Sequence, residues 1–304
     1  MVFNAKNPRN GNFIDNVTQA LLKWKKKGAK IVTTRHNKLP HVRFKHDKKL
    51  YELFYHYSDG MVHLGEYSRK EFLENHKEEY LSLKHEIICH PIYKDSYPEI
   101  SKAEARLRLG LGKEEKVFLA FGKIRLKKEQ ELIIDVFKNI KKKNYTLLIP
   151  KILFSDKPSF RLETIKRLKY HLKFISWNLR KIYLNSFYNI KIDHKFYSLE
   201  EVCIFFKAAD VVIIPRVEIL NSGNIFQAIT HNRPIICPST GNLTEIIKET
   251  KNYLYTPNNS SSLMEAVSKT DIETGIKDYT EIKKKISIDE IASQYYSFYQ
   301  KLIA

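Results

Sequence analysis

A short polar cluster in the second half of the chain has the residue types needed to bind an anion. Asn221, Ser222, Gly223 and Asn224 follow the apolar run DVVIIP, at the point where a helix should begin. The start of a helix leaves backbone N–H groups without intrahelical acceptors, and these groups with the helix dipole favour a phosphate oxygen. Gly223 would also allow a close approach of the ligand. Taken alone, the cluster is better explained as an ordinary Ser or Asn helix cap without a ligand.

A second cluster, FGKIRLKK at residues 121–128, favours an anion site over an ordinary helix cap. A predicted strand ends at Phe121 and Gly122, and Arg125 and Lys128 follow in the turn and the first helical residues. Because both clusters follow carboxyl ends of strands in one predicted parallel sheet, they should face a common crevice. Arginine can donate two parallel hydrogen bonds to a diphosphate, and lysine adds a point charge. The alternative is that Arg125 and Lys128 are ordinary solvated surface charges in a lysine-rich chain.

The elements that must position these clusters alternate along the chain. Short β-branched runs at 30–34, 60–64 and 85–89, and again at 116–121, 145–150, 189–193, 210–215 and 234–238, are separated by amphipathic stretches. This alternation predicts the α/β class, with parallel sheets covered by helices. We place a first lobe at residues 1–100 and a second, doubly wound lobe at 101–285. Residues 286–304 should form a helix that could return to the first lobe.

The charge of the chain favours an anionic partner. Lysine and arginine number 53 against 34 acidic residues, a formal net charge of +19. This excess suits nucleic acid, anionic lipid or a phosphorylated small molecule. We do not expect nucleic acid, because no recognisable module combines basic residues with exposed aromatics. No apolar run approaches the roughly 20 residues that span a bilayer, and the first residues do not resemble a secretory signal, so we expect a cytoplasmic protein.

One segment, residues 158–188, has the pattern of a basic amphipathic helix. It contains Trp177 and many cations. Its apolar residues recur at helical spacing: Leu162, Ile165, Leu168, Leu172, Ile175, Leu179 and Ile182. Such a helix suits an anionic membrane surface. The alternative is a surface helix that packs this apolar stripe onto its own domain.

Together the segments FGKIRLKK, DVVIIPR, LNSGNIFQAITHNRPIICPSTGNLTEI, TTRHNKLPH and HPIYKDSYP resemble the retaining GT-B glycosyltransferases of family 4, especially bacterial surface-polysaccharide enzymes. The likeness runs from about residue 30 to about residue 267. It implies the GT-B fold, with two Rossmann-like doubly wound parallel sheets. It also implies transfer of a sugar from a UDP- or GDP-linked donor to a glycan or lipid-linked acceptor. An enzyme of this kind would work in the cytoplasm, at the inner face of the plasma membrane.

The resemblance also implies roles for individual residues in the second lobe. Arg125 and Lys128 would hold the donor diphosphate above the helix start formed by Ser222, Gly223 and Asn224. The family's ribose-binding glutamate falls on a glutamine, Gln227, which can bind hydroxyls but carries no charge. Glu218, as a catalytic residue, and Asn221 would contact the donor sugar, although Glu218 stands one residue before the family position.

Three further residues are candidates for the site, one from the same resemblance and two from their place after the predicted strand at 189–193. His36, after the first predicted strand, would lie near the donor sugar and the acceptor as a catalytic residue. Phe196 and Tyr197 would flank the base, or else form an ordinary core pair. Since Arg125, Lys128 and the helix start could neutralise the leaving diphosphate, and no Asp-x-Asp sequence is present, we expect neither a metal nor another cofactor.

The first lobe is shorter than the resemblance requires. Such lobes open with a strand and a Gly-rich loop, and here Met1 lies only a few residues before the first predicted helix. We therefore expect an incomplete N-terminal sheet. Two alternatives to an active enzyme follow: a donor-binding chain with little turnover, or a subunit completed by a partner polypeptide.

Overall fold

A computed structural model of the chain forms two compact units, each built on its own parallel sheet. Unit 1 combines the chain up to Pro91 with Lys285–Ala304, and unit 2 spans Ile92–Lys284. The structure describes residues 12–38, 47–76, 80, 82–93, 99–124, 126–140, 142, 144–152, 164–195, 197–270 and 276–304.

In its described part, unit 1 has a three-stranded parallel sheet in the order β1-β2-β3. The strands are β1 (Val32–Arg35), β2 (Gly60–His63) and β3 (Lys84–Ile87). The helices are α1 (Asn12–Lys26), α2 (Asp47–Tyr57), α3 (Glu66–Asn75) and the last helix of the chain, α12 (Ile288–Ile303).

Helix α12 packs closely on the middle strand of unit 1. A Cβ at Gly60 would lie 2.7 Å from the Phe298 ring, so only glycine lets the helix approach this closely. Phe298 and Leu302 are buried with Val62 and Ile88 in one cluster. Helix α12 therefore belongs to unit 1.

Unit 2 is a doubly wound parallel sheet in the order β6-β5-β4-β7-β8-β9. The strands are β4 (Lys116–Leu119), β5 (Tyr145–Ile149), β6 (Ile190–Ile192), β7 (Val211–Ile213), β8 (Ile235–Pro238) and β9 (Tyr253–Tyr255). The helices are α4 (Lys102–Arg108), α5 (Lys127–Asn139), α6 (Thr164–Tyr188), α7 (Leu199–Ala208), α8 (Gly223–Thr230), α9 (Leu243–Glu249), α10 (Ser260–Lys269) and α11 (Thr280–Lys285). Every residue of β5, β7 and β8 is buried, as expected for strands covered on both faces.

The winding of this sheet creates a switch point beside β4. From β4 the chain moves to β5 and β6 on one side, then returns to β7 on the other side. The loops after β4 and β7 therefore leave the carboxyl edge of neighbouring strands in different directions. Ligands of open α/β sheets bind at such switch points.

The predicted α/β class, with two parallel sheets, is confirmed. All the strands predicted from the sequence are present, and β9 is an additional edge strand. The contact boundary falls after Pro91, earlier than the boundary placed at residue 100. Tyr93 explains part of this difference, because its N–H donates to Thr230 Oγ1 of α8 at 3.2 Å. None of the helices in the described ranges is long and apolar enough to span a membrane.

Candidate functional site

The two anion-binding clusters predicted from the sequence are joined directly by a hydrogen bond. Asn224 Nδ2, in the first turn of α8, donates to the carbonyl oxygen of Phe121 at 2.7 Å. Gly122, the next residue, has a φ of 88°, and a Cβ there would lie 2.8 Å from the same Nδ2 atom. Glycine is therefore needed at this position for its backbone conformation and for space. The start of α8 and the loop after β4 meet at the switch point.

Helix α8 begins with the geometry expected of an anion site. Ser222 is the extended N-cap residue, and its side chain makes no capping hydrogen bond. Ile225 N–H donates back to the Ser222 carbonyl at 3.2 Å. The N–H groups of Gly223 and Asn224 precede that bond and point out of the helix start, where a phosphate oxygen would be favoured.

A tyrosine hydroxyl lies beside this helix start. A Cβ on Gly223 would be 2.6 Å from Tyr93 Oη, so the absence of a side chain at Gly223 admits the hydroxyl. No sequence pattern indicated a role for Tyr93, although its segment, HPIYKDSYP, carried part of the family resemblance. A phenol at this position can donate a hydrogen bond to an anion held by α8.

A buried ion pair clamps the two loops at the switch point. Glu129, in the first turn of α5, is 2% exposed, and Arg216 Nη1 donates to its Oε2 at 2.9 Å. Arg216 Nη2 donates to the Lys123 carbonyl at 2.7 Å, and Val217 N–H donates to Glu129 Oε1 at 3.2 Å. Tyr255 Oη supports the same loop by donating to the Ile214 carbonyl at 2.9 Å. These residues hold the loop after β7 against the loop after β4.

The approach to α8 is shaped by the turn after β8. Asn242, which is buried, donates from Nδ2 to Asn221 Oδ1 at 2.7 Å, and its N–H donates to the Leu220 carbonyl at 3.0 Å. Gly241 has a φ of 62°, and a Cβ there would meet the carbonyl oxygens of Ile219 and Leu220. The Asn221 side chain thus orders the loop, and its predicted contact with a donor sugar stays a prediction.

The other predicted residues of unit 2 differ in exposure. Lys128 is exposed in the first turn of α5, and Glu218 is exposed in the loop before α8. Gln227 is buried within α8, at 6% exposure. Arg125, the predicted partner of Lys128, lies outside the described residues. The structure does not test the binding role of any of these four.

Only one of the two predicted base-flanking residues is described, Tyr197; Phe196 lies outside the described residues. Tyr197 packs edge-on against Phe205, with ring centroids 4.8 Å apart. Its hydroxyl donates to Asp193 Oδ2 at 3.4 Å, and burial together with the Asp193 charge raises the pKa of Tyr197. These contacts suit a core aromatic, and base contact stays a prediction.

His36 directly follows β1 in unit 1, as predicted. Burial, and to a smaller degree the nearby His90, lowers the pKa of His36. A lowered pKa favours the neutral imidazole at neutral pH, which can accept a proton or a hydrogen bond. His90 itself is hydrogen-bonded through Nδ1 to the Pro91 carbonyl at 2.6 Å.

Unit 1 also contains a hydrogen-bonded histidine pair, one buried and one half-buried, that no sequence pattern indicated. His63 Nε2 lies 3.0 Å from His85 Nδ1, and His63 Nδ1 lies 3.1 Å from Ser68 Oγ. Burial is the main reason that the pKa of His63 is lowered to about 3, and the neighbouring charges add to the effect. His63 and Ser68 are fully buried, so this chain of hydrogen bonds stabilises the unit rather than meeting a ligand. In the described ranges, no three His, Cys, Asp or Glu side chains are grouped as metal ligands.

Solved structures of glycosyltransferases have a similar fold. Sucrose-phosphate synthase from Thermosynechococcus elongatus superposes with a TM-score of 0.66 at 15% identity, covering 92% of this chain and 70% of that one. A glycosyltransferase from Rickettsia africae superposes with a TM-score of 0.66 at 15% identity, covering 100% of this chain and 84% of that one. Anabaena HepE in complex with UDP and glucose superposes with a TM-score of 0.67 at 13% identity, covering 99% of this chain and 85% of that one.

No family model matches the sequence, and no curated protein matches it either. The structural similarity, at identities of 15% or below, establishes the fold alone. That fold is the GT-B type, with two Rossmann-like parallel sheets.

Proposed function

We propose that this chain is a glycosyltransferase that takes its sugar from a nucleotide-linked donor. The observation that carries the proposal is the hydrogen bond from Asn224 to the Phe121 carbonyl, at 2.7 Å. It brings a helix start and a basic loop together at the switch point of a parallel sheet. Such a place can hold the diphosphate of a nucleotide through backbone N–H groups and cations.

The reaction we propose is a displacement with retention at the sugar carbon. The bond between the anomeric carbon and the diphosphate oxygen breaks, and its electron pair stays with the diphosphate. The acceptor hydroxyl oxygen forms the new bond on the same face, and its proton passes to the departing diphosphate oxygen. Charge therefore develops on the leaving group, where Arg125, Lys128 and the start of α8 would stabilise it. This chemistry requires neither a metal nor another cofactor.

Most of the remaining roles rest on the family resemblance. Gln227 and Asn221 would bind the ribose and the donor sugar, and Phe196 and Tyr197 would flank the base. Glu218, exposed before α8, would contact the reacting sugar. His36, whose pKa is lowered, would accept a hydrogen bond from a sugar hydroxyl. Tyr93 joins this set on structural grounds, because its hydroxyl lies against Gly223 at the helix start.

The donor to test first is a UDP-sugar. The HepE structures contain UDP, UDP with glucose, or UDP-glucose, and an Escherichia coli trehalose-6-phosphate structure contains UDP-2-fluoro glucose. GDP-linked donors remain the second choice. For the acceptor we propose a glycan, or a lipid-linked glycan of surface-polysaccharide synthesis such as capsule or lipopolysaccharide. The enzyme would then work in the cytoplasm, peripherally on the inner face of the plasma membrane.

A second candidate function is donor binding without turnover. Gln227 stands where the family has a glutamate, and the described part of unit 1 has only a three-stranded sheet. A chain of this kind could be a catalytically weak lobe, or a subunit that another polypeptide completes. Binding of a nucleotide-sugar without release of the nucleotide would favour this candidate.

Isothermal titration calorimetry with UDP, GDP and their common sugar conjugates tests the proposal. The substitutions Arg125→Ala and Lys128→Ala should each weaken binding of one nucleotide. Lys127→Ala is the matched control, because Lys127 lies in the same helical turn but pairs with Glu131 at 3.2 Å. Binding that all three substitutions leave unchanged would contradict the diphosphate assignment. Binding of none of the nucleotides would contradict the proposed function.

A further inference from the structure

Helix α6 has an apolar stripe that faces away from its own domain. Four aliphatic side chains form this outer stripe, and each is more than half exposed: Leu172 at 58%, Ile175 at 55%, Leu179 at 62% and Ile182 at 63%. On the helix they are separated by three, four and three residues, so they lie on one side. The stripe is therefore a continuous apolar surface in contact with solvent.

The opposite side of α6 is the one that packs on the sheet. Trp177 is 6% exposed and Leu184 is 2% exposed, and both belong to the core cluster of unit 2. At 100° per residue, they lie roughly opposite the outer stripe. The sequence-based alternative, that the apolar stripe packs onto its own domain, is therefore wrong for the four residues of the outer stripe. Trp177 is likewise not available to contact a membrane.

The charge of α6 is entirely of one sign. The segment Thr164–Tyr188 has no acidic residue and six cations: Lys166, Arg167, Lys169, Lys173, Arg180 and Lys181. Lys173 and Arg180 are exposed beside the helix, whereas Lys181 lies 3.6 Å from Asp193. An exposed aliphatic stripe and exposed cations thus occur on the same helix.

We propose that the outer stripe docks into an anionic lipid bilayer, with Lys173 and Arg180 at the level of the headgroups. Aliphatic side chains gain free energy by leaving water for the acyl boundary, and exposed cations on the same helix attract acidic lipids. Exposed Tyr183 and Phe187, near the end of the helix, extend the apolar surface.

The same features argue against other occupants of the stripe. Nucleic acid is bound by stacking on aromatic side chains, whereas the four residues that form the stripe are aliphatic, and exposed Tyr183 and Phe187 lie only near its end. Two copies of α6 packed stripe to stripe would bring six cations from each helix together without any acidic partner on either helix, and like charges repel. Docking does not depend on the proposed sugar transfer. If both hold, α6 brings the enzyme to the surface that carries a lipid-linked acceptor.

Vesicle flotation of the full chain tests this docking. Vesicles of phosphatidylcholine alone are compared with vesicles that also contain phosphatidylglycerol. We expect the chain to float with the phosphatidylglycerol vesicles only, and to be released as salt is raised. The double substitution Ile175→Ser, Leu179→Ser should weaken binding by more than about tenfold, because several buried carbons are lost from the apolar contact.

Two matched controls separate docking by α6 from non-specific hydrophobic adsorption and from non-specific attraction of a cationic protein to anionic vesicles. Leu107→Ser with Leu199→Ser removes two exposed leucines, at 79% and 70%, from other helices and should leave flotation unchanged. Lys173→Gln with Arg180→Gln should reduce flotation, whereas Lys48→Gln with Lys269→Gln, an equal change of net charge elsewhere, should not.

Three results would overturn the proposal. They are equal flotation with both kinds of vesicle, no flotation with either, and a dimer in sedimentation velocity that Ile175→Ser, Leu179→Ser dissociates. Circular dichroism and the unfolding midpoint show whether each variant is folded. Since the replaced side chains are exposed, we expect both to match the unsubstituted chain.

Discussion

Arg216 and Glu129 form a buried ion pair that fastens the loop after β7 to the first turn of α5, with Nη1 and Oε2 2.9 Å apart. The same guanidinium donates to the Lys123 carbonyl, so one side chain joins the two loops of the candidate donor site. The pair also bonds to the backbone of both loops, at the Lys123 carbonyl and the Val217 N–H. Its role is to fix the loops at the switch point, which any phosphate site there requires.

Arg216→Ala should destabilise the chain strongly. The Glu129 carboxylate, at 2% exposure, would keep only the Val217 N–H and lose its charge partner. Breaking a buried pair from one side costs about 3–5 kcal/mol. Urea unfolding followed by circular dichroism measures the loss. Arg216→Lys should lose less, because it keeps the charge but not both hydrogen bonds.

Arg108→Ala is the control for this substitution. Arg108 pairs with Glu104 four residues earlier, and the two side chains are 56% and 47% exposed. Exposed pairs contribute about 0–1 kcal/mol, so the unfolding midpoint should barely move. Equal losses of unfolding free energy for Arg216→Ala and Arg108→Ala would show that the Arg216 pair does not fix the two loops.

Gly223→Ala should be destabilising because of Tyr93. The new Cβ would lie 2.6 Å from Tyr93 Oη, and overpacking of this kind costs about 1–3 kcal/mol. Tyr93→Phe removes the oxygen and leaves the ring, so the double variant should recover most of that loss. A double-mutant cycle of unfolding free energies measures the coupling. Losses that simply add would mean that the two groups are not in contact.

Ser222→Ala provides the comparison at the neighbouring position. The Ser222 side chain makes no capping hydrogen bond, so its removal should change the free energy of unfolding little. Nucleotide titration of the same variants is informative as well. If the Tyr93 hydroxyl helps to bind a phosphate, Tyr93→Phe should weaken UDP binding while leaving the unfolding midpoint near that of the unsubstituted chain.

The meeting of the two anion-binding clusters could be predicted from the sequence, whereas the residues that fix them could not. Carboxyl ends of parallel strands share an edge, so FGK and NSGN had to face the same side. The Arg216–Glu129 pair joins positions 87 residues apart, and each residue alone resembles an ordinary surface charge. Tyr93 meets Gly223 because its segment runs along α8, with its N–H at Thr230 and its hydroxyl at Gly223. No local sequence pattern indicates this contact.

Helix α6 shows a second limit of sequence patterns. Helical spacing identified Leu172, Ile175, Leu179 and Ile182 as one apolar side, but spacing does not reveal which side meets the sheet. Trp177 takes the inner position, where it is buried in one cluster with Leu147 of β5 and Ile190 of β6. Strand β9 was missed because Tyr253–Tyr255 is a three-residue edge strand with too few residues to show alternation.

The stability of the chain should fall as the pH is lowered below neutrality. Burial holds the pKa values of His63 and His231 at about 3, while an unfolded histidine titrates near 6.5. Between these values the unfolded chain binds protons that the folded chain does not, so the stability present above pH 6.5 is lost on acidification. Each histidine contributes a slope of about 1.4 kcal/mol per pH unit. Urea unfolding from about pH 5 to about pH 8 measures it.

The variant His63→Gln should reduce the slope of unfolding free energy against pH by the contribution of one histidine, about 1.4 kcal/mol per pH unit. His56→Gln, an exposed position on α2, serves as the control and should leave the slope unchanged. If the slope of the His63 variant equals that of the unsubstituted chain, His63 is protonated in the folded state or contributes nothing to acid sensitivity.

Asn224→Asp should damage donor binding more than Asn224→Ala. Both variants lose the donor to the Phe121 carbonyl, which lies 2.7 Å from Nδ2. The aspartate also places a negative charge beside that carbonyl and next to the proposed diphosphate, and like charges at such distances repel. We expect UDP affinity to fall about tenfold further with aspartate than with alanine, a difference of about 1.4 kcal/mol. Calorimetric titration with UDP measures both.

Asn139→Asp makes the same change of side chain at the other end of α5, where Asn139 Nδ2 donates only to the Asp135 carbonyl one turn earlier. Its UDP affinity should match that of the unsubstituted chain, because the new charge is exposed and at the far end of the helix from the switch point. If Asn224→Asp binds UDP as tightly as Asn139→Asp, the anion does not sit at the start of α8. The nucleotide would then have to be held elsewhere, and the proposed function would lose the observation that carries it.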